Sequence, residues 1–185
     1  MQPEKKEHWE EVYKTKTPDQ VSWTQENPKT SLDYIKACKL PKNAALIDIG
    51  GGDSLLVDYL LEEGYSQITV LDISEQAIKR AQERLGAAAD NVTWIVSDIL
   101  EFNPKKTYAL WHDRATFHFL TTTTEIETYK NTIKQRVDSY VVLGVFSKEG
   151  PSKCSGLPIT QYNVAELTAC FGDSFKVLHA QTEDH

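Results

Sequence analysis

Apolar and polar positions along this chain switch repeatedly between a short-run pattern and a helical one. Residues 44–49 (AALIDI) form an apolar run opened by Pro41, Lys42 and Asn43 and closed by glycines, which predicts a buried strand. Residues 54–63 place Leu55, Leu56, Tyr59 and Leu60 on one helical face, with Gly64 set to end the helix. Residues 67–71 predict the next strand. Ser74 is an N-cap for a helix whose apolar positions are Ala77, Ile78, Ala81 and Leu85, with Gly86 beyond its end.

The alternation continues to the C-terminus. Strands are predicted at 91–96, 108–112 and 139–146. Between the last two, Thr124 and Glu127 have capping-box spacing ahead of Ile126, Tyr129, Ile133 and Val137. Residues 151–162 read as loop, 164–171 as helix and 174–180 as a last strand. Strands alternating with helices predict an α/β fold with a parallel, Rossmann-like sheet and helices on both faces. Ahead of it, Trp9, Val12 and Tyr13 stripe one short helix, and a second starts at Asn27-Pro28 and ends near Pro41. The expectation is one domain over 1–185, with residues 1–40 a helical cap or lid on a core of 41–185.

Composition narrows the classes. At 185 residues the chain is long enough to bury a core without disulfides or metal. A formal net charge of −7 argues against a nucleic-acid partner, whose phosphates must be matched by Lys and Arg. The three cysteines, Cys38, Cys154 and Cys170, are too scattered for a disulfide framework or a zinc site. The N-terminus has no apolar stretch, and the longest apolar run, 140–146, is far short of the ~20 residues that cross a bilayer. A cytoplasmic protein without metal or membrane attachment is expected.

The candidate chemistry lies in Asp48-Ile49-Gly50-Gly51-Gly52-Asp53-Ser54, between the first strand and the first helix of the core. Glycines there let backbone approach a ligand at the carboxyl edge of an open sheet. Asp72 closes the next strand 20 residues after Gly52, placed to accept both hydroxyls of a ribose. A nicotinamide or flavin site calls for G-x-G-x-x-G, but the third glycine is replaced by Leu55. Asp48 would repel a pyrophosphate and suits an ammonium group. Ribose, adenine, amino acid and no phosphate describe S-adenosyl-L-methionine.

With these residues in place, the sequence resembles the class I S-adenosylmethionine-dependent methyltransferases over nearly its whole length. The resemblance implies that Asp48, Gly50 and Gly52 form the methionine-and-ribose loop. It implies that Asp72 and Ile73 hold ribose and adenine, and that Asp98, with Ile99, meets the adenine amino group. A closer resemblance is to a subgroup of small, mostly bacterial members with H-W-x-x-x-Y…V-S-W, D-R-A-x-F-H-F-L and C-S-G-L-P patterns. They are matched at His8, Trp9, Tyr13, Val21-Ser22-Trp23, 113–120 and 154–158. Two departures stand out. Thr24 replaces an expected aromatic, and the chain ends at His185, where the fold usually adds a final antiparallel strand.

His112, Asp113, Arg114 and His118 are expected near the transferable methyl. One histidine or Asp113 would act as base or orienting group; the alternative is an Asp113–Arg114 salt bridge beside a satisfied histidine. Trp9, Tyr13 and Trp23 read either as a lid against the sulfonium or as staples for the cap; Trp23 is the better lid residue and is counted with the cofactor site. Arg114, Phe117 and Cys154 are assigned to the substrate pocket. Methylation of O, N or S on a small molecule is expected. The alternatives are a protein-lysine methyltransferase and a non-catalytic cofactor-binding module.

Overall fold

The computed structural model describes residues 3–114, 116–172 and 174–183; Ala115, inside the D-R-A pattern, lies outside them. Five parallel strands form the sheet: β1 (Ala45–Ile49), β2 (Gln67–Asp72), β3 (Val92–Val96), β4 (Tyr108–Asp113) and β5 (Val137–Leu143), in the order β3-β2-β1-β4-β5. The chain winds outward from β1 in one direction and then restarts beside β1 with β4. That reversal opens a crevice beyond the carboxyl ends of β1 and β4, where open α/β sheets take their ligands.

Among the described residues there are six α-helices: α1 (Pro3–Thr15) and α2 (Lys29–Ala37) precede the sheet, α3 (Leu56–Glu62), α4 (Glu75–Leu85) and α5 (Thr123–Arg136) connect its strands, and α6 (Val164–Phe171) follows it. Strand side chains alternate between faces, and two separate cores result. Leu46, Ile68, Val70 and Leu110 pack under α2, α3 and α4 through Leu32, Ile35, Leu56, Leu60 and Ile78. Ile47, Ile49, Leu71 and Trp111 pack under α5 and α6 through Tyr129, Ile133 and Phe171. The fold is the Rossmann-like α/β arrangement that the sequence pattern predicts.

Three local features depart from the pattern. The capping box at α5 is Thr122 with Glu125, not Thr124 with Glu127: the Glu125 amide donates to Thr122 Oγ1 at 3.3 Å, and Glu125 Oε2 accepts the Thr122 amide at 2.9 Å. Any of four successive threonines can cap, and Glu127 instead pairs with Lys130 on the surface at 2.7 Å. Within the predicted loop, β6 (Lys153–Cys154) and β7 (Leu157–Pro158) form a small antiparallel hairpin. Its two-residue turn, Ser155-Gly156, takes positive φ of 49° and 81°. Residues 174–180 are not a strand. That segment is held toward α2 instead, where Glu183 Oε2 accepts the Thr30 hydroxyl at 2.6 Å and His179 meets the Tyr34 ring. A strand needs a ladder partner, and this segment forms no ladder with β5.

Candidate active site

The glycine loop after β1 is shaped by close contact at every glycine. Gly50 takes φ +65°, and a Cβ there would lie 2.1 Å from Thr116 Oγ1, so the loops after β1 and β4 touch across the crevice. A Cβ on Gly51 would fall 2.7 Å from Asp48 Oδ2 and 2.8 Å from Val70. At Gly52, φ +49°, it would meet the Tyr13 hydroxyl at 2.8 Å and Asp72 Oδ2 at 3.1 Å. The Gly50 amide donates to the Leu71 carbonyl at 2.7 Å and ties the loop to β2. Leu55, where a dinucleotide site needs glycine, sits in ordinary right-handed conformation (φ −79°, ψ −1°).

Three strand-end carboxylates surround this loop. Asp72 is buried at the cleft wall, its Oδ1 accepting the Ser74 amide at 2.8 Å. Burial pushes its pKa up to about 7, aided by the neighbouring acids Asp53 and Asp48 and opposed by amide donors from Ser74 and Gly52. Asp98 also lines the cleft and holds the Leu100 amide at 2.9 Å; Ile73 and Ile99 lie beside these acids. Asp48 is turned into the α2 side, where its Oδ1 accepts from His112 Nδ1 at 2.7 Å. The other ring nitrogen, Nε2, lies 2.8 Å from Ser31 Oγ. Asp48, His112 and Ser31 have the membership of a hydrolase triad, yet all three are buried and none lines the cleft. Their arrangement holds the carboxylate beside the glycine loop.

The structure separates residues that the sequence placed together. His112 and Asp113 are consecutive on β4, so they point to opposite faces of the sheet. Asp113 is wholly buried on the α5 side: Oδ1 accepts the Thr116 amide at 2.7 Å and the Phe117 amide at 3.3 Å, and Oδ2 accepts the Tyr129 hydroxyl at 2.5 Å. Tyr129 in turn receives the Trp111 indole N–H at 3.0 Å. Burial raises the Asp113 pKa. Phe117, expected in the substrate pocket, is a core residue instead: it is fully buried against Tyr129, Tyr162 and Phe171. Neither Asp113 nor Phe117 lines the cleft.

His118, Arg114, Cys154 and Trp23 do line it. The His118 ring lies between those of Phe119 (4.3 Å) and Phe146 (5.1 Å). Its carbonyl accepts the Thr160 amide at 2.7 Å, which ties it to the segment beyond the hairpin. Arg114 donates to the Trp23 carbonyl. Cys154 is a half-buried free thiol whose pKa burial raises, the opposite of an activated thiolate.

Helix α1 crosses the cleft and is anchored at both sides. Glu10 caps the N-terminus of α4, accepting the Glu75 amide at 2.7 Å, the Gln76 amide at 3.2 Å and the Ser74 hydroxyl at 3.0 Å. Lys5 donates to Glu125 at 3.1 Å and to the Phe119 carbonyl at 3.2 Å. Between these anchors Trp9 packs on Trp23 and Phe119, and one turn beyond Glu10 Tyr13 covers Gly52. Trp9 and Tyr13 thus both line the cleft and fasten α1 across it. Glu10 and Ser31 carried no local signal, because their partners lie 64 or more residues away.

Comparison with known proteins agrees with this geometry. Residues 46–136 match the family model described as "Methyltransferase domain". This segment, just under half of the chain, is similar to methyltransferase domains. Malonyl-[acyl-carrier protein] O-methyltransferase 1 of Ilyobacter polytropus is 30% identical over 107 residues, covering 57% of this chain and 39% of that protein. EEF1A lysine methyltransferase 2 of Mus musculus is 27% identical over 124 residues, covering 60% of this chain and 50% of that protein. The chain thus spans half or less of the length of these two curated relatives. Among solved structures, one described as "Conversion of a Disulfide Bond into a Thioacetal Group during Echinomycin Biosynthesis" superposes with a TM-score of 0.73 at 17% identity, over 91% of this chain and 78% of that one. The "DhpI-SAM-HEP complex" superposes at 0.61 with 14% identity, over 77% and 74%. At those identities the likeness is one of fold.

The residues of the cleft fit S-adenosylmethionine as a cofactor. Gly50 admits no side chain at the crevice, Asp72 and Asp98 present buried carboxylates to the cleft, and Asp48 stands behind the glycine loop. Among the described residues no cluster of His, Cys, Asp and Glu has the makings of a metal site, and no helix is long and apolar enough to cross a membrane.

Proposed function

We propose that this chain is an S-adenosylmethionine-dependent methyltransferase acting on an O, N or S atom of a small molecule. One observation carries the reading. Asp72 and Asp98 line the same cleft as Arg114, His118 and the aromatic wall of Trp9, Trp23 and Phe119, with the side-chain-free turn at Gly50 between them. One part of the cleft offers carboxylates to a nucleoside, and another offers an aromatic wall with a few polar groups.

Bound S-adenosylmethionine supplies an electrophilic methyl on a sulfonium. An acceptor lone pair would take that methyl, the carbon–sulfur bond pair passing to sulfur. The protein's part is alignment and exclusion of water, which can supply much of the acceleration. Asp48, oriented by His112 and Ser31, would back the glycine loop, and Asp72 and Asp98 would hold the cofactor end. Trp9, Tyr13 and Trp23 shield it. His118, which lines the cleft, would take a proton from an acceptor that arrives protonated. Asp113 braces the loop that carries Arg114 and His118, acting through position and not through contact with the acceptor.

The mouse relatives' names point to protein lysine as the competing acceptor. An arginine in the cleft wall opposes a lysine ammonium, which favours the small molecule. In the same reading the protein works in the cytoplasm, with its three cysteines as free thiols; fractionation that finds it in an oxidising compartment would reject this. The test is label transfer from methyl-tritiated cofactor to pooled metabolites, thiols and extract proteins. Label in low-mass products is expected. Label confined to a protein band would overturn the small-molecule choice, and absence of cofactor binding by calorimetry would overturn the methyltransferase reading itself.

A further inference from the structure

Arg114 is the first residue beyond β4, half-buried in the cleft wall. Loss of water is the leading influence on its guanidinium. A cation withdrawn from water ordinarily sits against a carboxylate, since an ionised group buried without a partner is strongly disfavoured. None of the ion pairs among the described residues includes Arg114. The two acids that influence it, Asp48 and Glu183, do so at longer range and are engaged elsewhere, with His112 and Thr30. Its described hydrogen bond goes to a neutral acceptor, the Trp23 carbonyl. A guanidinium offers further N–H donors in a planar fork suited to a carboxylate.

We propose that Arg114 is a carboxylate-binding residue of the cleft. The carboxylate has two possible sources, the amino-acid end of the cofactor and an acidic group on the acceptor. Only this choice of sources rests on the methyltransferase reading; the cationic site itself does not. Asp48 beside the glycine loop and Arg114 after β4 would form a pair of opposite charges matched to a zwitterion. An acidic acceptor would instead lay its carboxylate on the fork with its apolar part against Trp9, Trp23 and Phe119.

The experiment separates the sources. Calorimetry compares S-adenosylmethionine with its decarboxylated form, and saturation-transfer NMR compares benzoate with benzamide, with and without S-adenosylhomocysteine. Both use the wild type and Arg114→Met. If the cofactor supplies the carboxylate, Arg114→Met loses at least tenfold in affinity for S-adenosylmethionine and little for the decarboxylated form. If the acceptor supplies it, cofactor affinity holds while benzoate binding is lost and benzamide is unaffected. Arg114→Lys restores part of either loss. Equal loss for charged and neutral probes, or no loss for any, overturns the proposal. Should Arg114→Met fail to fold, the wild type decides alone. No preference for S-adenosylmethionine over its decarboxylated form and none for benzoate over benzamide overturns it. A wild type that binds no cofactor at all defeats the methyltransferase reading, while the benzoate–benzamide comparison still reads Arg114.

Discussion

β2 and β4 flank β1 on either side, run parallel to it, and each ends on a buried aspartate whose pKa burial raises. Asp113 at the end of β4 faces the α5 core, where two loop amides and the Tyr129 hydroxyl take up its oxygens. Asp72 at the end of β2 accepts amides from Ser74 and Gly52, lies close to the acids Asp53 and Asp48, and borders the cleft. The same residue at equivalent strand ends is a brace in one place and a cleft-lining group in the other. The difference follows from side-chain parity along the strand and from what the facing loop donates.

The largest effect that can break this comparison is on folding. Asp113→Ala leaves three buried donors without an acceptor, and should cost about 3–5 kcal/mol in urea unfolding, with Asn recovering part of it. Cofactor affinity of the folded fraction should stay within about twofold, well under the tenfold that 1.4 kcal/mol represents. Unchanged stability with lost turnover would return Asp113 to the chemistry.

Asp72→Ala should do the reverse. Cofactor affinity should fall by about 1.5–3 kcal/mol, the scale of hydrogen bonds to a charged group, with stability held or raised. Intact affinity would remove Asp72 from the site.

The pH response sharpens the same contrast. Hydroxyl donors favour ionised Asp72, so cofactor affinity should rise as pH increases through about 7, and Asp72→Asn should flatten that rise. For stability the sign is opposite. The folded pKa lies above the unfolded ~3.9, so the unfolded chain loses its proton first, and the stability associated with this group falls between that value and about 7. Asp72→Asn should remove this decline as well.

The smallest effect concerns α1. Glu10→Gln weakens a charged cap on α4 and should cost roughly 1 kcal/mol. Protease cleavage around Pro18 should quicken, and added S-adenosylhomocysteine should slow it in the wild type. Cleavage indifferent to both would leave α1 as a fixed strap, not a lid.

Much of the sheet was legible because strands buried on both faces must be apolar throughout, as in AALIDI and QITVL. The glycine loop was legible because only glycine admits its contacts: a Cβ at Gly50 would overlap Thr116. Legibility failed where residues compete for one role or where a partner is remote. Any of Thr121, Thr122, Thr123 and Thr124 can cap a helix, and packing chose Thr122. Residues 174–180 carry apolar positions suited to a strand, but no ladder partner meets them.

The sequence alone determined the alternating α/β order, the acid–glycine turn, and the strand-end acids Asp72 and Asp98, all local consequences of periodicity, backbone freedom and spacing. Tertiary structure decided the division of labour around β4. It sent His112 to Asp48 and Ser31, placed Asp113 and Phe117 in the α5 core, and left Arg114 and His118 at the cleft. It also brought Glu10 of the first helix onto the N-terminus of α4. Parity along a strand and contacts across 64 residues depend on where the sheet closes in space, and no short window of sequence carries that information.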